Sequence, residues 1–254
     1  MQTITSSSNE KFKHFRTLLS KKGRDESGEY MVEGIKSVTE AVMSEKSKVS
    51  AIIIRDDLDF DVPSSDFQVY VMPPALADRL SDTKTPPGVF AVIKKNTDLP
   101  DLKPDGAYVY CDHVSDPGNL GTIIRTADSA GFDGVLLSPG CVEVHNPKTV
   151  RSCMGSFFHT DVFENVTKED LENFSGKIYG GILAGDTIDY RDGDYSGGII
   201  IAVGNESNGI SDSIKEICRP VKIPIYGKAE SLNAAVAASI LIYEAANKRN
   251  SQNQ

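Results

Sequence analysis

The sequence contains no tryptophan, few other aromatic residues, and no apolar run as long as a membrane-spanning helix. Aromatic residues make up 7% of its 254 positions, so we do not expect binding by stacking on many bases. A membrane span needs about 20 consecutive apolar residues. The N-terminus, Met1–Ser8, is polar and lacks the charged-then-apolar pattern of a signal peptide. We therefore expect a cytoplasmic protein that makes no membrane contact.

Metal-ligand patterns are missing as well. The four cysteines lie far apart, form no C-x-x-C pair and have no histidine at ligand spacing: Cys111, Cys141, Cys153 and Cys218. Three histidines are equally scattered: His113, His145 and His159. We expect reduced thiols, structural or surface histidines, and no metal site.

Two nucleotide-binding fingerprints are also absent. The chain has neither the G-x-G-x-x-G of dinucleotide sites nor the G-x-x-x-x-G-K-[ST] loop of triphosphate hydrolases. These absences argue against a nucleotide-dependent oxidoreductase or hydrolase, one of the function classes open to an α/β protein of this size.

Basic residues are too few for broad nucleic-acid binding, because the net charge is −9. The first 24 residues are the exception, with six basic residues against Glu10: Lys11, Lys13, Arg16, Lys21, Lys22 and Arg24. Such a run is often a solvated helix face. It is also compatible with recognition of a specific RNA, and we take these six as candidate RNA-binding residues.

The first half of the chain alternates between helical and extended patterns. Asn9 is placed to cap a helix whose Phe12, Phe15 and Leu18 recur at helical spacing. Strands are predicted at Tyr30–Val32, Ala51–Ile54, Gln68–Val71 and Gly88–Ile93, with helices around Val38–Val42 and Ala75–Leu80. We predict an α/β sandwich domain over 1–95, followed by a polar, proline-containing linker at 96–106.

The second half, 107–250, repeats the alternation more clearly. Strands are predicted at Tyr108–Cys111, Gly134–Leu137, Phe157–Val162, Ile178–Leu183, Ile199–Val203 and Ile223–Ile225, with helices at about Leu120–Ala130, Pro147–Met154 and Lys168–Phe174 and a C-terminal helix after Asn233. Near-continuous apolar strands predict a mostly parallel sheet covered on both faces. Ligands bind outside the carboxyl ends of such strands.

Two loops at these strand ends have the composition of ligand loops. The first is DPGNLG, in which Asn119 is followed six positions later by Arg125, whose guanidinium suits a phosphate. Taken singly, Asn119 could be a helix cap and Arg125 an ordinary surface residue. The second is GNESNG, a glycine turn that carries Glu206 and is a weak motif by itself.

The third loop precedes the C-terminal helix and contains the triplet Ser-Leu-Asn. We expect Ser231 to cap this helix, and Leu232, Val236 and Ile240, at four-residue spacing, to face the interior. A capped helix with no further role is the alternative interpretation. Three such loops in order are far more specific than any one of them.

The ordered set DPGNLGTIIRTADSAGFDGV, IIIAVGNESNGIS and VKIPIYGKAESLNAAVAASILIYEA resembles the SpoU (TrmH-type) family of RNA 2′-O-ribose methyltransferases in the SPOUT superfamily. The resemblance covers roughly residues 107–247. The N-terminal half, through NEKFKHFRTLLSKKGRDESGEYMVEG, also looks like the substrate-binding domain of many members, which is similar to ribosomal proteins that bind kinked RNA.

The resemblance implies a fold, a cofactor and an assembly. The fold is an α/β sheet whose C-terminal segment is threaded into a trefoil knot, a rare topology that periodicity does not predict. The cofactor is S-adenosylmethionine, and members are homodimers whose active sites draw on both chains. No metal is required. The cofactor-contacting positions of the family match Gly204, Ile223, Pro224, Gly227 and Leu232.

The family's catalytic positions match five residues of this chain: Asn119, Arg125, Glu206, Ser231 and Asn233. All five residue types are kept, which favours an active enzyme. The counterpart of Arg125 has been proposed as the base that activates the ribose hydroxyl. Because a guanidinium with a pKa above about 12 is a poor proton acceptor, we prefer a role in holding a phosphate and stabilising negative charge on the 2′-oxygen.

The expected function is therefore S-adenosylmethionine-dependent methylation of a ribose 2′-hydroxyl, with large-subunit (23S) ribosomal RNA favoured as substrate by the type of N-terminal domain. Two alternatives stay open. One is the same chemistry on tRNA, and the other is a catalytically silent RNA-binding or ribosome-assembly factor of the same fold.

Overall fold

A computed structural model of the chain describes residues 1–62, 67–97, 100–183 and 185–252. The residues cluster into two compact units. The first holds Met1–Asn96 and His145–His159, and the second holds Thr97–Val144 and Thr160–Gln254. The segment His145–His159 therefore belongs to the first unit, although it lies within 107–250. Of the expected linker, residues 98 and 99 lie outside the described residues.

The elements are numbered along the chain. The strands in the described residues are β1 (Gln2–Thr3), β2 (Glu29–Glu33), β3 (Val49–Arg55), β4 (Gln68–Met72), β5 (Val89–Lys94), β6 (Ala107–Cys111), β7 (Gly134–Leu137), β8 (Asp161–Phe163), β9 (Lys177–Gly181), β10 (Ile188–Asp189), β11 (Ile199–Val203) and β12 (Arg219–Lys222). The α-helices are α1 (Glu10–Thr17), α2 (Lys21–Ser27), α3 (Ile35–Met43), α4 (Pro74–Ala77), α5 (Pro117–Ser129), α6 (Pro147–Ser152), α7 (Lys168–Glu172), α8 (Asp212–Lys215) and α9 (Ala234–Gln252). Short 3-10 helices occur at Asp78–Leu80, Ser156–Phe158 and Tyr190–Asp192.

The first unit is a sheet of order β1-β4-β3-β5-β2 with a core on each face. Successive strand residues point to opposite faces. Accordingly, Ile53 packs in the cluster with Phe12 and Phe15 of α1, while Ile52 packs in the cluster with Val38 of α3. Segment 145–159 contributes to the second cluster. The predicted α/β sandwich is confirmed.

The N-terminal helix begins as predicted. The side-chain oxygen of Asn9 accepts hydrogen bonds from the backbone N–H groups of Lys11 and Phe12, which have no intrahelical partner. Helix α2 is capped by Ser20 and ends at Gly28, which adopts the left-handed conformation (φ 67°) that glycine tolerates.

The second unit is a sheet of order β10-β12-β9-β11-β6-β7-β8 in which every described pairing is parallel. Tyr108 and Ile200 lie in one cluster with Leu171 of α7 and Ile214 of α8. Helices α5 and α9 pack on each other and on strands of the opposite face. Because both faces are covered, the strands are apolar throughout, which explains the runs in the sequence.

Two strand predictions need correction. The strand predicted at Ile223–Ile225 is wrong, because β12 ends at Lys222. Pro220 lies within β12, at a point where only β9 is alongside, since β10 pairs only with Val221 and Lys222. A proline is tolerated there because its missing N–H interrupts no second ladder.

The strand predicted at Phe157–Val162 is only partly right. Residues Asp161–Phe163 form β8, but Ser156–Phe158 form a 3-10 helix. Phe157 and Phe158 pack in the core of the first unit, so the apolar run spans two different environments.

Within the described residues, no helix combines the length and apolar character that crossing a bilayer requires.

Candidate active site

Four strand ends of the second unit meet at one edge of its sheet. Cys111, the last residue of β6, is the register partner of Val203, the last residue of β11. Gly181 at the end of β9 is likewise the partner of Val221 near the end of β12. The segments that follow these strands are therefore neighbours, at the edge where open parallel sheets bind ligands.

Glu206 is the centre of the polar contacts at this edge. One carboxylate oxygen accepts hydrogen bonds from the hydroxyl of Ser115 (2.9 Å) and its backbone N–H (3.3 Å). The other accepts from the backbone N–H of Asp116 (3.3 Å) and the side-chain amide of Asn119 (2.8 Å). The carboxylate thus lies against the N-terminal end of α5, where the helix dipole favours negative charge.

A further hydrogen bond joins Asn119 to the third loop. The side-chain oxygen of Asn119 accepts from the side-chain amide of Asn233 at 3.0 Å. The oxygen of Asn233 accepts from the N–H groups of Ala235 (2.9 Å) and Val236 (3.2 Å) at the start of α9. Since a carboxylate only accepts, each amide can be oriented in one way, and the chain runs from α9 through Asn233 and Asn119 to Glu206.

These contacts change the acidity of Glu206. Partial burial by itself would raise the pKa of its carboxyl group. The hydrogen bonds donated by Asn119 and by Ser115 outweigh that effect, and the pKa falls from 4.5 to about 2. Glu206 is therefore ionised at every physiological pH.

The loop that carries Glu206 folds back on itself. Asn205 and Gly209 exchange backbone hydrogen bonds of 3.0 and 2.9 Å. A side chain at Gly204 would collide with the backbone of Gly209 at 2.0 Å, so only glycine fits there. The side-chain amide of Asn205 also donates to the backbone oxygen of His113 at 2.9 Å, which ties this loop to the one after β6.

A cleft of about 380 Å³ opens beside this loop, within the size range of small-molecule sites. Its apolar walls include Ile182, Ile223, Ile225, Leu232, Ala237 and Leu241. Polar side chains at its border include Asn205, Glu206, Asn208, Ser231 and Lys222. Over the described part of the chain, the backbone N–H and C=O groups of residues 223–232 make no internal hydrogen bond. They are free to bind a ligand with donors and acceptors along its edge.

Most of the predicted site residues fall into two groups that share Glu206. The hydrogen-bonded series joins Asn119, Asn233 and Glu206. The cleft is lined by Gly204, Ile223, Leu232, Ser231 and Glu206. Pro224 and Gly227 belong to the same loop but do not line the cleft. Arg125 is joined to neither group. Its side chain is exposed and, among the described residues, has no hydrogen-bond or ion-pair partner.

Two features of the site were missed from the sequence. The end of β9 and the loop after it contribute Gly181, Ile182 and Leu183 to the cleft, and the glycine pair at 180–181 was the available signal. Ser115 makes two hydrogen bonds to Glu206, but a serine before an aspartate carries no signal that would have identified it.

Two expectations about the third loop and α9 are wrong. The cap of α9 is Asn233 and not Ser231. The alternative interpretation of Asn119 as the cap of α5 does not hold either, because that cap is Asp116. Leu232 and Val236 do not face the interior, since they are 37% and 48% exposed. The buried side of α9 is instead formed by Ala235, Ala238, Leu241, Ile242 and Ala245. The spacing of the larger side chains selected the wrong face because alanines fill the buried one.

The six basic candidates of the N-terminal segment belong to the first unit. Lys13, Lys21 and Lys22 are each paired with a carboxylate one turn away on their own helix. Arg24 needs correction as an RNA contact, because it is only 3% exposed and donates to the backbone oxygen of Leu18 at 2.7 Å. Lys11 and Arg16 remain exposed.

Family models cover most of the chain. Residues 106–243 match the model described as the SpoU rRNA Methylase family. Residues 9–91 match an MRM3-like substrate binding domain.

Individual proteins resemble the chain along nearly its whole length. It is 36% identical to the 23S rRNA (guanosine(2553)-2′-O)-methyltransferase RlmP of Bacillus subtilis, over 96% of this chain and 98% of that protein. It is 30% identical to the 23S rRNA (uridine(2479)-2′-O)-methyltransferase of Streptomyces viridochromogenes, over 96% and 91%. The crystal structure of the SpoU methyltransferase AviRb from Streptomyces viridochromogenes, in complex with AdoMet, superposes with a TM-score of 0.87 at 28% identity, over 96% of this chain and 99% of that one.

Replacing Glu206 by glutamine should lower the free energy of unfolding by about 1 kcal/mol at pH 7. This is less than a buried hydrogen bond to a charged group contributes, because the site is exposed to water. The folded-state pKa of Glu206 lies below 4.5, so its contribution is complete above pH 4.5 and is lost as pH falls towards 2. Urea denaturation of both proteins at several pH values should show the difference shrinking across this range. The exposed Glu230→Gln serves as the control, and a pH-independent difference for Glu206→Gln would contradict the assignment.

Proposed function

Because the chain belongs to the SpoU rRNA methylase family, we propose that it transfers the methyl group of S-adenosylmethionine to a ribose 2′-hydroxyl of large-subunit ribosomal RNA. The relatives at 36% and 30% identity carry out this chemistry on 23S rRNA, at a guanosine and at a uridine respectively. The N-terminal match to a substrate-binding domain supports an RNA substrate. A cytoplasmic location belongs to the same proposal.

The observation that carries the proposal is the hydrogen-bonded chain from Asn233 through Asn119 to Glu206, beside an apolar cleft. Three loops far apart in the sequence meet there, and the hydrogen bonds between them fix the orientation of the Asn119 and Asn233 side-chain amides. A site without function has no need of such an arrangement at a water-exposed sheet edge, which supports an active enzyme over a silent RNA-binding factor.

The cleft suits S-adenosylmethionine by its size and by the chemistry of its walls. Ile223, Ile225 and Leu232 supply apolar surface for a flat ring, and the free backbone groups of 223–232 supply donors and acceptors for its edge. Gly204 allows the neighbouring loop to turn tightly beside the cleft. When bound, the cofactor supplies an electrophilic methyl group on a sulfonium. The family fold also implies a trefoil knot in the C-terminal segment. Pro224, Gly227 and α9 would belong to that knotted segment.

Glu206 is better suited to positioning than to proton transfer. A carboxylate offers about four acceptor positions, and Ser115, Asp116 and Asn119 donate four hydrogen bonds to that of Glu206. Its pKa of about 2 is also far below neutral pH, where a general base works best. We assign Glu206 the task of holding Asn119, which with Ser231 and Asn233 orients the ribose.

Arg125 is the group available to meet charge on the RNA. Its guanidinium has no carboxylate partner among the described residues, so both edges of its fork are free for a phosphate. Fixed donors aimed at a developing negative charge are a large part of catalysis in many enzymes. Arg125 would hold the phosphate and stabilise the 2′-oxygen as the hydroxyl proton passes to solvent water and the methyl group leaves the sulfonium, which departs as a thioether. In-line geometry would supply much of the rate.

A homodimer would explain two features that the single chain leaves open. Arg125 lies apart from the chain of Asn119 and Asn233, and α9 exposes an apolar face with Val236 at 48% and Tyr243 at 46%. Helix α5, which carries Arg125, packs against α9. Pairing of two copies through α9 would bury this face and could bring Arg125 of one copy to the ribose bound by the other.

The test of the function is to map 2′-O-methyl groups in total RNA from cells with and without the gene. Loss of a single site in large-subunit rRNA is the expected result. Loss of a tRNA site would identify the alternative substrate. No lost site, together with no methyl transfer by the purified protein, would leave the silent RNA-binding factor as the function.

Replacing Ala237 by leucine should weaken S-adenosylmethionine binding by about tenfold or more, because the larger side chain projects into the cleft. Isothermal titration calorimetry measures the dissociation constant directly. Ala75→Leu makes the same change at an exposed position of the first unit, outside the cleft, and should bind normally. Equal affinities for the two variants would place the cofactor elsewhere.

Replacing Arg125 by lysine keeps the charge but removes the fork, and should reduce turnover on RNA by about 100-fold or more. Cofactor affinity should not change, since Arg125 does not line the cleft. Methyl transfer from labelled cofactor measures the turnover, with Arg219→Lys as an exposed control. Near-normal turnover in Arg125→Lys would remove the role assigned to the guanidinium.

Replacing Val236 by aspartate should convert the dimer into monomers, because it places a charge on the exposed apolar face of α9. Sedimentation velocity measures the mass of each species, and methyl transfer should be lost together with the dimer. Ile188→Asp, at an exposed apolar position of β10 (47%), is the control. A wild-type protein that sediments as a monomer would contradict the proposed assembly.

A further inference from the structure

Two arginines of the first unit lie side by side on its surface. The guanidinium of Arg16, on α1, donates a hydrogen bond of 2.5 Å to the backbone oxygen of Arg79. The guanidinium of Arg79 lies 5.2 Å from the centre of the Phe12 ring. Phe12 and Arg16 are four residues apart and hence on the same side of α1. The two cationic groups therefore share one small area of surface.

No carboxylate neutralises this pair. Among the described residues, neither guanidinium has an ion-pair partner. The acidic side chains closest in sequence are already paired with other cations, Asp78 with Arg55 at 3.1 Å and Glu10 with Lys13 at 2.6 Å. The lysines of α2 differ, since Lys21 and Lys22 are each paired within the helix.

Both side chains are held in place before any ligand arrives. Arg16 is fixed by its bond to the backbone oxygen of Arg79, and Arg79 by the face of the Phe12 ring, which attracts a cation. Ordering a long side chain costs free energy on binding, and these contacts reduce that cost. Neither contact uses more than part of a guanidinium, so most of the N–H donors remain free.

We propose that Arg16 and Arg79 form a phosphate-binding pair that holds the backbone of the RNA substrate on the first unit. A planar guanidinium matches two phosphate oxygens at once, which gives both strength and a defined orientation. The proposal rests on the proposed function, because it takes RNA as the substrate. It adds Arg79, which sequence reasoning did not identify, and it narrows the six basic candidates to one principal contact, Arg16.

RNA suits this pair better than an acidic protein surface. The chain as a whole carries a net charge of −9, so a polyanion is repelled except where cations are concentrated without acids. A protein partner would also need apolar contact at the centre of its interface. The sides of α1 and of Asp78–Leu80 that bear large apolar residues are instead turned inwards, with Phe12, Phe15 and Leu80 at most 2% exposed.

The test measures binding of the full-length protein to a large-subunit rRNA transcript at several salt concentrations. Arg16→Gln and Arg79→Gln should each weaken binding about tenfold and reduce the slope of log affinity against log salt by about one. Methyl transfer by each variant should show a raised KM with nearly unchanged kcat at saturating RNA. Lys103→Gln, which removes an equal charge that is paired with Asp133, is the matched control.

Arg16→Lys with Arg79→Lys keeps the charges and loses the forks. This double variant should keep the salt slope and lose affinity several-fold, and it also provides a folded protein if a glutamine variant is unstable. An unchanged slope and affinity in the glutamine variants would overturn the proposal while wild-type methylation still supported the function. Absence of methylation by the wild type would instead count against the function itself.

Discussion

The candidate site depends on one carboxylate held against the N-terminal end of a helix. Glu206 accepts four hydrogen bonds from the segment Ser115–Asn119. Asn119 in turn accepts from Asn233. Removing the carboxylate would leave the side-chain N–H of Asn119 without the acceptor that orients it. A single acid thus connects three segments that are far apart in the sequence.

The parallel sheet makes that connection geometrically available. With β6 and β11 adjacent and in register up to Cys111 and Val203, the loops that follow must leave the sheet together. The β9 and β12 ends lie on the other side of β11 and supply the walls of the cleft. Apolar strands buried on both faces hold this edge rigid, so the polar groups can remain exposed to water and still be ordered.

Which basic side chains of this protein are available to RNA depends on their pairing with acidic residues and not on the net charge. Most lysines at the N-terminus are matched by acids on the same helix, and Arg24 is buried. Arg16, Arg79 and Arg125 are exposed and have no acidic partner among the described residues. An acidic chain that exposes few unpaired arginines would bind a particular RNA geometry and avoid polyanions in general, since non-specific affinity grows with the number of phosphates neutralised.

Patterns in the sequence predict the alternation of strands and helices and the loops that meet at the site, and the family resemblance predicts the cofactor class. Local periodicity carries that information because buried strands and helices repeat their apolar residues. The trefoil knot and the likeness to proteins that bind kinked RNA stay predictions. The folded chain shows four further features: Asn233 caps α9, alanines form much of its buried side, Arg24 is internal, and Ser115 binds Glu206. The cap is a local contact, but Ser231 and Asn233 are both suitable cap residues, so the sequence alone does not distinguish them. The other three features depend on packing between residues far apart in the chain, which no local pattern records.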